Sequence, residues 1–294
     1  MNALAKRSSV NVSVALVFQA VIYFSLSLII GRLGIDRTSA LMYVVQAMFS
    51  VAVNLIPLIV LRRMNATLSG GTREKPSGSD GIRRGDKILI TAGVSATVFA
   101  IGVLYERVFP DAASVITAGK DVSVWMNLLA VATVCVLPAM FEELFFRGAV
   151  LEHLSVAGYV PATIISAMSF ALAHFSSVRF PFAFIAGLFF GALYAITGSV
   201  KYTIAAHFAC NFTSFLFIFA KTVVPPEPFG KFELASALVF LFVSVLITIA
   251  TSKNAFRMIV RKDGAADASS ILTPAILAYF VIAMVATLFF VRGI

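Results

Sequence analysis

Two carboxylates stand side by side in the stretch VLPAMFEELFFRGAVLEHL, and Arg147 follows the second of them by four residues in otherwise apolar surroundings. On a helix Glu143 and Arg147 share a face at the spacing where an ion pair forms, while Glu142 points about 100° away. One carboxylate is neutralised locally and the other is left free. A free carboxylate among apolar side chains demands a partner and suits a general base that activates water. The chain has three histidines. Two of them, His174 in SFALAHF and His207 in AAHFACNF, interrupt apolar runs, and Asn211 lies one helical turn after His207 on the same face. This set supports hydrolysis. Glu142 polarises a water, His174 orients it or transfers a proton, and His207 with Asn211 donates hydrogen bonds to a developing oxyanion.

Other chemistries fit less well. Ser169 and Ser176 flank His174, but no GxSxG accompanies them, so no covalent nucleophile is expected. Two histidines and a glutamate are also a zinc-ligand set. Without HExxH, and with the histidines on different apolar runs, spacing gives zinc no support, and the expectation is a site with no metal and no cofactor. Cys135 and Cys210 sit in apolar runs without metal-ligand spacing and read as small packing residues. Glu152 and His153, at the end of the motif helix, read as interfacial. The 28 phenylalanines read as lipid-facing and core packing.

The elements that must position these residues are membrane helices. The 294 residues are 60% hydrophobic and 13% charged, with a mean hydropathy of +0.97, too apolar for a soluble core. Apolar runs near the ~20 residues needed to cross hydrocarbon fall at 12–30, 39–61, 87–105, 122–151, 160–175, 180–197, 200–220, 233–251 and 273–291. The expected fold is all-α: a polytopic transmembrane bundle of eight or nine helices, a single domain over 1–294, with the active-site cavity inside the membrane. The spans place Glu142, His174, His207 and Asn211 roughly 10 to 20 Å from the cytoplasmic ends of their helices, inside a single ~30 Å core. The first run is long and lacks a clear cleavage site, so it reads as a retained helix rather than a signal peptide. Pro225, Pro226 and Pro228 read as a helix-terminating turn. No inverted repeat of the transporter kind is evident, which weakens a proton-relay reading.

The net charge of +9 does not form a basic face for nucleic acid, because the lysines and arginines gather in connections between apolar runs. Residues 64–86, rich in Gly, Ser and Pro, read as a flexible loop. Its Arg73, Arg83 and Arg84, together with Lys253, Arg257, Arg261 and Lys262 in the late connection and Lys6 and Arg7 at the start, place these segments in the cytoplasm. A multi-pass protein of the cell membrane with a cytoplasmic N-terminus follows, with lipid as one partner.

FEELFFRG, FALAH and HFACN, taken together and in this order, resemble the EExxxR, FxxxH and HxxxN motifs of the type II CAAX prenyl endopeptidase family, also called the CAAX protease and bacteriocin-processing (Abi) family. The motifs are met by Glu142, Glu143 and Arg147, by Phe170 and His174, and by His207 and Asn211, so the resemblance covers about residues 120–220. It implies an eight-helix-type membrane fold with a cavity open to the cytoplasm and lipid, and a glutamate-dependent intramembrane endopeptidase. In such an enzyme the first-motif glutamate and second-motif histidine activate water, and the third-motif histidine and asparagine form the oxyanion hole. The implied substrate is a peptide or prenylated protein. Other members of the family resemble bacteriocin self-immunity proteins, so the alternative is a non-catalytic membrane protein that confers immunity or anchors a partner.

Overall fold

A computed structural model describes residues 3–36, 39–66, 82–112, 118–262 and 268–290. Among them there are nine helices and no strand: α1 (Ala3–Arg32), α2 (Ala40–Ala66), α3 (Arg84–Val108), α4 (Val124–Ala157), α5 (Tyr159–Leu172), α6 (Phe180–Thr197), α7 (Val200–Lys221), α8 (Pro226–Lys262) and α9 (Pro274–Phe290). All but α5 and α9 are long and apolar enough to cross a membrane, which makes seven candidate spans. The protein is a polytopic helical bundle. Helices are what such a sequence must form, because only intrasegment hydrogen bonds satisfy the backbone in hydrocarbon.

Three expectations need correction. The run 160–175 does not make a full span: α5 has 14 residues and a length of ~21 Å, short of a ~30 Å core. The stretch 64–86 is helical at both ends, through Ala66 and from Arg84, and its interior, residues 67–81, lies outside the described residues. His153, read as interfacial, does not face the surroundings: it is 5% exposed, and its Nδ1 donates to the carbonyl of Ala149 at 2.6 Å. The proline turn after α7 is present: α7 ends at Lys221 and α8 begins at Pro226.

α4 carries the first motif and is not a uniform helix. Its α-helical centre, Leu137–Phe145, is flanked by two π-helical segments, Val131–Val136 and Phe146–Leu151. Such widened turns shift the faces of a helix relative to one another and leave carbonyls free for other donors. The second motif stands at the end of α5, which lies tightly against α6. A Cβ on Gly187 would sit 2.9 Å from Cα of Ala167, and one on Gly191 would sit 2.7 Å from a methyl of Thr163. Gly187 and Gly191 form the GxxxG spacing that lets two membrane helices approach closely.

Contacts at the helix ends sort them into two faces. On one face, Ser9 Oγ at the start of α1 donates to the Ile271 carbonyl before α9, and Lys87 Nζ at the start of α3 donates to the Thr197 carbonyl at the end of α6. On the other, Lys221 at the end of α7 pairs with Glu233 near the start of α8 at 3.0 Å, and Tyr105 near the end of α3 donates to the Val178 carbonyl before α6.

Candidate active site

The Glu143 carboxylate is wholly buried and sits between two cationic or donor groups. Its Oε1 lies 2.8 Å from Arg147 Nη1 and 2.9 Å from His207 Nδ1. The pair with Arg147 is the one expected from spacing; the bond from His207, 64 positions away, ties α7 to α4. A carboxylate engaged by a guanidinium only accepts, so His207 Nδ1 carries the proton and donates it. Arg147 is also fully buried. Its Nη2 donates to the Gly187 carbonyl at 3.2 Å, and its guanidinium lies 4.6 Å from the Phe170 ring centroid and 5.4 Å from that of Phe190. Two aromatic faces thus replace part of the hydration that burial removes. Phe190 also stacks on the His207 ring at 5.0 Å and 20°.

Glu142 differs from its neighbour. Its side chain is 21% exposed, and its Oε2 lies 4.0 Å from His207 Nε2. The two glutamates therefore address opposite nitrogens of one imidazole.

The position of His174 follows from the end of α5. The helix stops at Leu172, so the His174 backbone N–H bonds to the Ala171 carbonyl and leaves the Phe170 carbonyl without its usual donor. His174 Nδ1 donates to that carbonyl at 2.8 Å. Because a carbonyl only accepts, the helix end fixes the tautomer and leaves Nε2 of the neutral ring with its lone pair available. The Phe170 ring meets the imidazole edge to face at 4.9 Å. The next residue, Phe175, has φ +44, a left-handed conformation that is costly for a side chain of this size and is found where surroundings enforce it. Its ring is held 4.5 Å from both Tyr23 and Phe24 of α1.

Asn211 is positioned by a proline. Pro138 has no N–H to offer the Val134 carbonyl four residues before it. Asn211 Nδ2 donates to that carbonyl at 3.1 Å, and its second amide hydrogen is not engaged by this bond.

Glu142, His174, His207 and Asn211 all line one cavity of about 570 Å³, within the range of small-ligand and peptide pockets. Arg179, Lys221, Glu106 and Glu233 also line it, at the ends of α3, α6, α7 and α8 on the face opposite Ser9 and Lys87. The cavity therefore runs from mid-bundle to that face. Sequence reasoning did not select Pro138, Gly187 or Phe190. For Gly187 the GxxxG spacing was a readable signal; Phe190 carried none among so many phenylalanines. Among the described residues no three His, Cys, Asp or Glu side chains are placed to hold a metal ion.

Residues 124–213 match the family model described as type II CAAX prenyl endopeptidase, Rce1-like, the family whose three motifs the sequence resembles. The matched segment runs from the start of α4 into α7 and contains Glu142, Glu143, Arg147, His174, His207 and Asn211, while the cavity-lining Glu106, Lys221 and Glu233 lie outside it. No curated protein and no solved structure matches the chain.

Proposed function

We propose that the protein is an intramembrane endopeptidase that hydrolyses a peptide bond with a water activated by Glu142 and His174. The observation that carries the reading is the shared cavity, in which a partly exposed carboxylate and an imidazole with a free Nε2 face the same space as His207 and Asn211. The match to a protease family over 124–213 supports hydrolysis as the reaction class.

In this reading a water held between Glu142 and His174 Nε2 gives a proton to the Glu142 carboxylate as its oxygen attacks the scissile carbonyl. The carbonyl oxygen becomes an oxyanion, which accepts from Asn211 Nδ2 and His207 Nε2. The proton on Glu142 then passes to the departing amine. For His207 Nε2 to donate while Nδ1 donates to Glu143, the ring must carry both protons, and the Glu143 carboxylate is the group that stabilises this imidazolium, much as a carboxylate does for a catalytic histidine elsewhere. The site as a whole then sums to neutral, with two carboxylates against a guanidinium and an imidazolium, as membrane burial favours. The mechanism uses no metal. The substrate class is a membrane-bound peptide; a prenylated C-terminus is the form that the resemblance implies.

The test is cleavage of membrane-anchored peptides, a prenylated CAAX peptide among them, by purified protein in detergent, read by mass spectrometry. Wild-type cleavage that is abolished by Glu142→Ala and by His174→Ala, and unaffected by a chelator, is the expected result. Loss of cleavage with chelator would replace the mechanism by a metal-dependent one. A cellular role, such as immunity, that survives Glu142→Ala would favour the non-catalytic scaffold.

A further inference from the structure

Two expectations from the sequence cannot both hold in this fold. The basic connections were assigned to the cytoplasm, and the resemblance implies a cavity open to the cytoplasm. The structure sets them at opposite ends of the bundle. The starts of α1, α3, α5, α7 and α9 lie at one face with the ends of α2, α4, α6 and α8, as the bonds from Ser9 to Ile271 and from Lys87 to Thr197 tie them. The cavity residues Glu106, Arg179, Lys221 and Glu233 belong to the other face, where Lys221 pairs with Glu233.

Charge decides between the two. Among the described residues, 12 lysines and arginines fall by their place in the helices at the Ser9 and Lys87 face, 6 at the cavity face, and Arg147 lies between them in the site. Lysine and arginine are retained on the cytoplasmic side of membrane proteins, and it is this count rather than net charge that sets orientation. The bias also spans the whole chain, from Lys6 and Arg7 through Arg83 and Arg84 to Arg261 and Lys262.

We infer that the cavity opens on the non-cytoplasmic face of the membrane. The site then takes its substrate from membrane-anchored chains whose scissile segment lies outside the cytoplasm or in the outer half of the bilayer. The substrate part of this inference rests on the hydrolase reading; the orientation does not. A prenylated C-terminus displayed in the cytoplasm is on the wrong side for such a site.

Single cysteines test the orientation directly. Lys120→Cys, exposed on the cavity face in the connection before α4, and Lys201→Cys, exposed near the start of α7 on the basic face, are expressed in cells. The parent, whose Cys135 and Cys210 are buried, is the blank. A membrane-impermeant maleimide should label Lys120→Cys in intact cells as fully as after permeabilisation, and Lys201→Cys only after permeabilisation. Asp121→Cys and Arg84→Cys repeat the measurement at each face. The reverse pattern, or labelling of both faces in intact cells, overturns the inference. The expected pattern combined with no cleavage of a membrane-anchored reporter displayed on the labelled face would count against the hydrolase and leave the orientation standing.

Discussion

Glu142 and Glu143 are adjacent in the chain and alike in chemistry, yet the fold gives them opposite circumstances. Glu143 is fully buried, with Arg147 and His207 both on one of its oxygens. Glu142 faces the cavity with the Nε2 atom of His207 4.0 Å away. A hundred degrees of helical rotation is enough to turn one carboxylate into part of the scaffold and leave the other able to take a proton. Two identical residues side by side in a membrane helix should therefore be judged by the face each presents.

The largest effect that would break this comparison is on catalysis. Glu142→Gln keeps the size and polarity of the side chain, and is expected to lower peptide cleavage by ~10²- to 10⁴-fold, the usual contribution of a general base, with the thermal midpoint in detergent little changed. A clear loss of stability would mean that Glu142 also holds the bundle together. Arg147→Met should do the converse. It strands the Glu143 carboxylate in a site without exposure, which costs about 3–5 kcal/mol. The measurable sign is loss of a monodisperse peak in size-exclusion chromatography, partly recovered in the double variant with Glu143→Gln. A well-folded Arg147→Met protein would show that the pair is dispensable to the fold. The smallest effect sharpens the picture: Pro138→Ala restores an N–H below the Val134 carbonyl and competes with Asn211 for it. Losing the restraint of about one hydrogen bond, worth ~1 kcal/mol, should reduce kcat several-fold with KM and stability nearly unchanged.

Much of this site was legible because a membrane makes polar residues conspicuous. Six side chains interrupting apolar runs could be picked out by type, and the Glu143–Arg147 pair followed from helical spacing alone. The bond from His207 to Glu143 was not readable, since spacing supplies neighbours along one helix and not between α4 and α7. The role of Pro138 was hidden for a related reason: its missing N–H matters only because Asn211 arrives from another helix. The helical fold followed from hydropathy, and so did the ends of α6 and α7 to within a residue or so. The early stop of α5 did not, because no glycine or proline stands within the next few residues after His174; the chain turns there at Phe175, whose ring is packed against Tyr23 and Phe24. The inferred orientation of the cavity needed both sources, with charge read from the sequence and helix ends from the structure.

The shortness of α5 bears on the supply of a reactant. Hydrolysis consumes water, and the hydrocarbon core of a bilayer holds almost none. A helix that crossed fully would have placed its side chains in a dry seam between neighbours. Because α5 stops after 14 residues, the chain leaves the helix at Ala173 inside the bundle and reaches the cavity face only at Arg179, and polar backbone inside a bundle persists only where protein or a wet cavity receives it. In the proposed hydrolysis, the same truncation that sets His174 on the cavity thus opens a path for solvent to Glu142, so that the supply of water and the placement of the proposed base have one structural origin.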